Sequence, residues 1–258
     1  MYFQDSFLLN PIYVIDKTYD KGGSEPYHQH SCHQLLVVKE GLLKVLMNGK
    51  RFIITQDKGI WLSKSTPHSL SLLKNTSILS AFVEPLARAD LPNQTQVVTI
   101  SPFLQTLLIQ ALSIDSNYQN HSREQWITEL ILDELRGLSA LEDFELPMPQ
   151  TQNYVEVCEK VTKNIHYQWS MADIAKMTCC SERTVARQFY QQTGLSFSEW
   201  LRRSRLQQSL TLLLQGESVT NVALAVGYDS PTAFSTAFKQ RMGMSPSQYV
   251  TQTYDEQN

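Results

Sequence analysis

Ser181–Trp200 reads SERTVARQFYQQTGLSFSEW, and 49 residues further on Ser230–Tyr249 reads SPTAFSTAFKQRMGMSPSQY. Ser181, Val185, Phe189, Gly194, Ser196 and Trp200 recur in type as Ser230, Phe234, Phe238, Gly243, Ser245 and Tyr249. Upstream, Ile174-Ala175 pairs with Val222-Ala223 at an offset of 48. A register held this regularly marks one supersecondary unit used twice. In each copy a serine has the chemistry of a helix N-cap, two apolar residues four apart form a buried stripe, and glycine stops the helix. Ahead of the first copy, Ser170 with Asp173 reads as a capping box opening a short helix that turns at Thr178–Cys180. Ahead of the second, a helix from Ser218 through Val226 turns at Gly227–Asp229 before Ser230-Pro231 restarts it. Small inward alanines, Ala175 and Ala223, let a second helix cross the first closely, which a helix-turn-helix requires.

Between the copies, Phe197 to about Leu214 is expected to form one helix of roughly 18 residues, about 27 Å long. A rod of that length suits two recognition helices set about one DNA turn, ~34 Å, apart on one side of a duplex. Its Arg202, Arg203 and Arg205 are expected at phosphates. The outward positions expected to face DNA are Arg183, Thr184, Ala186, Arg187 and Gln188 in the first recognition helix. In the second they are Thr232, Ser235, Thr236 and Lys239. Arginine and glutamine are base readers in the major groove, which the second helix largely lacks. Residues 153–252, and Val222–Tyr249 above all (VALAVGYDSPTAFSTAFKQRMGMSPSQY), resemble the paired DNA-binding domain of AraC/XylS-type transcriptional regulators. That resemblance implies double-stranded DNA as a partner. The family commonly has basic residues where Thr236 and Val250 stand here, so the first copy is expected to read bases and the second to position the backbone.

The rest of the chain bounds the setting. A length of 258 residues suits about two domains, and 42% apolar with 18% charged residues excludes intrinsic disorder. No apolar run reaches the ~20 residues of a membrane span. Met1–Leu9 has no basic region before its apolar residues, which argues against a secretory signal. The four cysteines, with Cys179 and Cys180 adjacent, read as reduced thiols of a cytoplasmic protein with no membrane partner. The net charge of −3 divides unevenly: residues 170–245 hold 8 Lys/Arg against 5 Asp/Glu, a local excess of +3.

Upstream of the repeat the texture is different. Between Tyr27 and Phe82, short apolar runs such as 34–38, 42–47, 52–55, 60–63 and 70–73 alternate with turn residues, and Asn48-Gly49 is a strong hairpin signal. Ser101-Pro102 opens a helix with Phe103, Leu104, Leu107, Leu108, Ala111 and Leu112 at helical spacing. Ser122 with Gln125 opens another, carrying Trp126, Ile127, Leu130, Ile131, Leu135 and Leu138. The fold class is therefore α+β, in four stretches: a barrel at 1–96, which the family resemblance implies is a sensor, a helical connector or dimerisation segment at 97–141, a linker at 142–152, and a tandem helix-turn-helix domain at 153–252.

His28, His30, Gln34 and Gly41 follow a spacing similar to the first cupin motif, with Gln34 where metal-binding cupins have Glu. His68 survives from a second motif in which Ser63 and Ser65 stand for the usual Pro and Gly. The resemblance implies a cupin-like barrel in which His28, His30, Gln34 and His68, with Cys32 as a softer alternative, face a small-molecule effector or a divalent metal. The expected protein is a homodimeric transcriptional regulator and not an enzyme. The competing reading, a metal-dependent cupin enzyme with accessory helices, is disfavoured by the missing carboxylate at Gln34 and by the completeness of the helical repeat.

Overall fold

A computed structural model describes residues 10–56, 58–115, 117–141 and 144–255, with side chains as far as residue 251. The readings made above of Met1–Leu9 and of Glu142 lie outside the described residues. The chain forms two compact units. One is Met1–Asn48 with Phe52–Glu142; the other is Asp143–Asn258 together with the three residues Gly49–Arg51.

The first unit contains strands β1 (Ile12–Tyr19), β2 (Ser24–His28), β3 (His33–Glu40), β4 (Leu43–Met47), β5 (Lys50–Ile54), β6 (Lys58–Leu62), β7 (His68–Leu72), β8 (Thr76–Val83) and β9 (Gln96–Thr99). One sheet has the order β1-β8-β3-β6-β9; in the other β5, β4, β7 and β2 lie side by side. Asn48 and Gly49 both adopt positive φ, 47° and 68°, the turn expected of an Asn-Gly hairpin. Strands β1, β2, β8 and β9 match none of the apolar runs named from the sequence. β1 and β2 are half exposed and mixed in composition, and β9 lies in a polar stretch.

The helices α1 (Pro102–Ala111) and α2 (Arg123–Arg136) begin where their caps specify: Ser101 Oγ accepts from Leu104 N, and Ser122 Oγ accepts from Gln125 N. The second half of the α2 box is displaced, since Gln125 Oε1 accepts from His121 N. Leu104, Leu107, Leu108 and Ala111 of α1 pack with Ile131, Leu132 and Leu135 of α2 against Leu35, Val37, Leu79, Ala81 and Val83 of the first sheet. Each fully buried leucine stabilises this layer by ~1.5–3 kcal/mol. The odd-numbered residues of β3 and β8 therefore face the helices. The even-numbered Gln34, Ser80 and Phe82 face the opposite side of the same sheet. Phe103, Leu112, Trp126 and Leu130, which helical spacing also offered as buried, stay exposed, as does Ile109.

The second unit is helical. It holds a short strand β10 (Glu145–Pro147), then α3 (Gln152–Lys163), α4 (Met171–Thr178), α5 (Glu182–Thr193), α6 (Phe197–Leu214), α7 (Val219–Ala225), α8 (Pro231–Met242) and α9 (Pro246–Asp255). Within the stretch expected as a linker, Leu146 is fully buried in the core with Tyr154, Val185, Phe189 and Trp200, and Pro147 O accepts from Trp200 Nε1 at 2.8 Å. The repeat is structural as well as sequential. Gly194 and Gly243 end α5 and α8 in the left-handed region at φ 71° and 77°. Phe189 meets Trp200 edge-on at 6.0 Å, and Phe238 meets Tyr249 edge-on at 5.7 Å. Among the described residues no helix is long and apolar enough to cross a membrane.

Candidate nucleic-acid interface and effector site

Each recognition helix is held by its buried stripe, Val185 and Phe189 in α5 and Phe234 and Phe238 in α8. That packing fixes which side chains point outward. In α5 these are Glu182, Arg183, Ala186, Arg187, Tyr190 and Gln191; in α8 they are Thr232, Ala233, Thr236, Lys239 and Gln240. Thr184 and Gln188 are half-buried. The Thr184 hydroxyl lies 2.9 Å from Ser181 Oγ, and Gln188 Oε1 accepts from the Tyr154 hydroxyl at 2.9 Å. Ser235 is half-buried too. Tyr190, at 60% exposure, was missed by sequence reasoning. Its spacing from Arg183 and Arg187, i, i+4, i+7, puts it on their helix face and was available as a signal.

The three arginines of α6 separate. Arg202 is exposed, with Glu199 Oε2 3.7 Å from its Nη1. Arg203 is turned inward, its Nε 3.1 Å from Glu199 Oε1 and its Nη1 donating to Glu145 O. Arg205 donates to Tyr167 O at 3.1 Å and lies over the Tyr228 ring. Arg203 and Arg205, both expected at phosphates, are half-buried and hold contacts within their own unit, whereas Arg202 is exposed. Glu199 also accepts both hydrogen bonds of Arg241 Nη2, at 2.8 and 2.9 Å. Burial pushes the Glu199 carboxyl up, but Arg203 and Arg241 outweigh it and hold the group below the usual carboxylate range.

In the first unit the three histidines read as part of an effector site come together from separate places in the chain. His28 closes β2, His30 lies in the following loop, and His68 opens β7. His28 and His68 are register partners, so their rings share a face and lie 4.4 Å apart. The His30 ring is 4.9 Å from His28 and 5.6 Å from His68. One ligand nitrogen from each ring falls within 4.8 Å of the others. Nδ1 of His28 is 2.7 Å from Pro26 O and Nδ1 of His68 is 2.9 Å from Thr66 O. Each Nδ1 is thus placed to donate to a backbone carbonyl, which leaves Nε2 as the ring atom available to a metal. His68 Nε2 is buried and has no hydrogen-bond partner among the described residues. Burial dominates its titration and lowers the His68 pKa, which disfavours the charged ring.

Gln34 faces the same side as Phe82, its register partner, and the Phe82 ring meets His30 edge-on at 5.1 Å. Its amide donates to Ser80 Oγ at 2.8 Å, while Oε1 is buried without a hydrogen-bond partner among the described residues. Cys32 is not among the clustered ligands. His33 lies elsewhere: it stacks on Trp61 and accepts from Lys64 N through Nδ1. Sequence reasoning also missed Glu25, whose Oε2 lies 3.6 Å from His28 Nε2. This donor set of three imidazoles and a nearby carboxylate is chemically suited to a borderline divalent transition metal.

Two family models match the sequence: an AraC-like ligand binding domain over residues 10–142, just over half the chain, and a helix-turn-helix domain over 174–252. The chain belongs to the AraC family of transcriptional regulators. Its ligand-binding and DNA-binding parts, in AraC-type order, are the two stretches just described. It is similar to the HTH-type transcriptional regulator NimR of Escherichia coli K12, 26% identical over 227 residues that cover 88% of this chain and 82% of NimR. Among solved structures it is similar to unsaturated fatty acid-bound ToxT from Vibrio cholerae, at 16% identity and TM-score 0.38 over 93% of this chain and 95% of that one. It is also similar to the DNA-binding domain of AdpA in complex with a target DNA, at 30% identity and TM-score 0.38, covering 39% of this chain and 92% of that one.

Proposed function

We propose that this AraC-type regulator binds a specific double-stranded DNA site as a homodimer, under control of a small-molecule or metal effector held at His28, His30, Gln34 and His68. The observation that carries the DNA reading is the pair of equivalent recognition helices whose apolar stripes build the core while Arg183, Ala186, Arg187 and Tyr190 on one, and Thr232, Thr236 and Lys239 on the other, face solvent. Arg183 and Arg187 are the base readers, and Arg202 and Lys239 meet phosphates, with Thr184, Gln188 and Ser235 flanking the contact. The surface assigned to the dimer is the exposed apolar set Phe103, Ile109, Leu112, Trp126 and Leu130 on α1 and α2. Control follows when the effector binds one state of the regulator more tightly than another, because equal affinity shifts nothing.

The deciding experiment is selection of a binding site from random duplexes by the purified full chain, followed by titrations of that site and of a scrambled one. Arg183→Ala and Arg187→Ala should each cost ~1–3 kcal/mol on the selected site and little on the scrambled one. Equal losses on both duplexes, or no selected sequence at all, would overturn the sequence-specific reading.

A further inference from the structure

We propose that His28, His30 and His68 hold one divalent ion of the zinc, nickel or cobalt type, and that Glu25, rather than Gln34, supplies the negative charge of the site. The inference rests on the preceding assignment of these histidines to the effector and names both the class of effector and a residue outside the expected set. An ion with ligand bonds of about 2.0–2.2 Å keeps neighbouring donors roughly 3.3 Å apart and opposite donors roughly 4.2 Å apart. Three imidazole nitrogens already within 4.8 Å of one another need only small side-chain rotations to close on such an ion.

Glu25 is brought to the site by an irregularity in β2. Residues three apart on a regular strand point to opposite faces, but the β2–β7 register shifts between Glu25 and His28 and turns both toward the same side. Its two oxygens are differentiated. Oε1 accepts from Lys17 Nζ at 3.1 Å and from the Tyr19 hydroxyl. Oε2 lies 3.6 Å from His28 Nε2, close to the spacing of neighbouring donors on one ion. Gln34 cannot take this role, because an amide carries no charge and its NH2 group is engaged by Ser80. Three neutral imidazoles leave a dication uncompensated in a partly buried site; the adjacent carboxylate, which it would share with Lys17, offsets part of that charge.

The test is zinc binding to the metal-stripped full chain by competition with a chromophoric chelator, repeated with cobalt to read the visible ligand-field spectrum. One ion per chain is expected. His28→Ala and His68→Ala should abolish binding, and Glu25→Gln should weaken it about 10- to 100-fold. Far-UV circular dichroism checks that each variant folds. In the wild type, zinc should also shift the carbon-13 signal of the Glu25 side-chain carboxylate, a readout that needs no substitution. An unmoved carboxylate signal, or wild-type affinity in Glu25→Gln, overturns the role of Glu25 while leaving the histidine site standing. Failure of the wild type to bind zinc, nickel or cobalt overturns the metal site altogether. Site-selective DNA binding by the same samples is scored separately, so loss of the metal inference leaves the DNA reading intact.

Discussion

Cys158 and Cys179 show how far one residue type can be driven apart by its surroundings. Cys158 is fully enclosed on the buried face of α3, and burial, only partly opposed by the Arg51 guanidinium, pushes its thiol up to about 12. Cys179 is exposed in the turn after α4. A thiol-specific aromatic disulfide should therefore label Cys179 in the native protein and reach Cys158 only in denaturant, as peptide mass mapping would show; native labelling of Cys158 would contradict the packing. His33 carries a pH prediction. Burial first, and Lys64 second, lower its pKa from the ordinary 6.5, so the folded state favours the neutral ring. Below that value the unfolded chain binds the proton more readily, and stability contributed by the neutral ring is lost as the pH falls. The urea midpoint should decline between about pH 7 and pH 5, and His33→Gln should remove its share of the slope.

At the scale of elements, the two helix-turn-helix turns make a matched experiment. Gly227 sits at φ +82°, and a Cβ there would approach Arg205 Nη2 to 2.6 Å and His166 O to 2.8 Å. Its counterpart by the 48-residue offset is Cys179, a side-chain-bearing residue held at φ 54°. Gly194 also needs positive φ, but a Cβ there meets nothing within 4 Å. Gly227→Ala should thus cost about 2–4 kcal/mol, combining backbone strain with a clash against a fixed carbonyl. Gly194→Ala should cost about 1 kcal/mol, and Cys179→Gly should gain about 0.5–1 kcal/mol after glycine's larger entropy loss. Thermal melts would rank them, and equal losses at Gly227 and Gly194 would show that the clash is relieved. The element boundaries were legible because each is written in local chemistry. Ser101, Ser122, Ser170, Ser181, Ser196, Ser218 and Ser230 all cap helices, as a side-chain oxygen three residues ahead of an amide dictates. β1 was not legible, because its mixed side chains acquire meaning only through pairing with β8 along its whole length.

At the scale of the whole molecule, the start of the second unit sets where it can be cut. Leu146 is buried in its core and Pro147 O accepts the buried Trp200 indole N–H. A fragment beginning at residue 144 should fold and retain site-selective DNA binding without effector control. One beginning at residue 152 should be less stable by about 3 kcal/mol, having lost a buried leucine and left a buried donor unpaired. Urea titration of the two fragments checks this, and equal midpoints would mean that the segment contributes nothing.

Local chemistry was enough to specify the duplicated helical unit, its caps, its buried stripes and the outward Arg183 and Arg187, because a helix closes its hydrogen bonds within itself and its faces follow from spacing alone. The resemblance to two cupin motifs marked His28, His30 and His68 as belonging together. The inward turn of Arg203 and Arg205 and the approach of Glu25 to His28 were decided only by tertiary structure. Those outcomes depend on which surfaces of α6 are covered and on a register shift between β2 and β7, and both are set by residues far away in the chain.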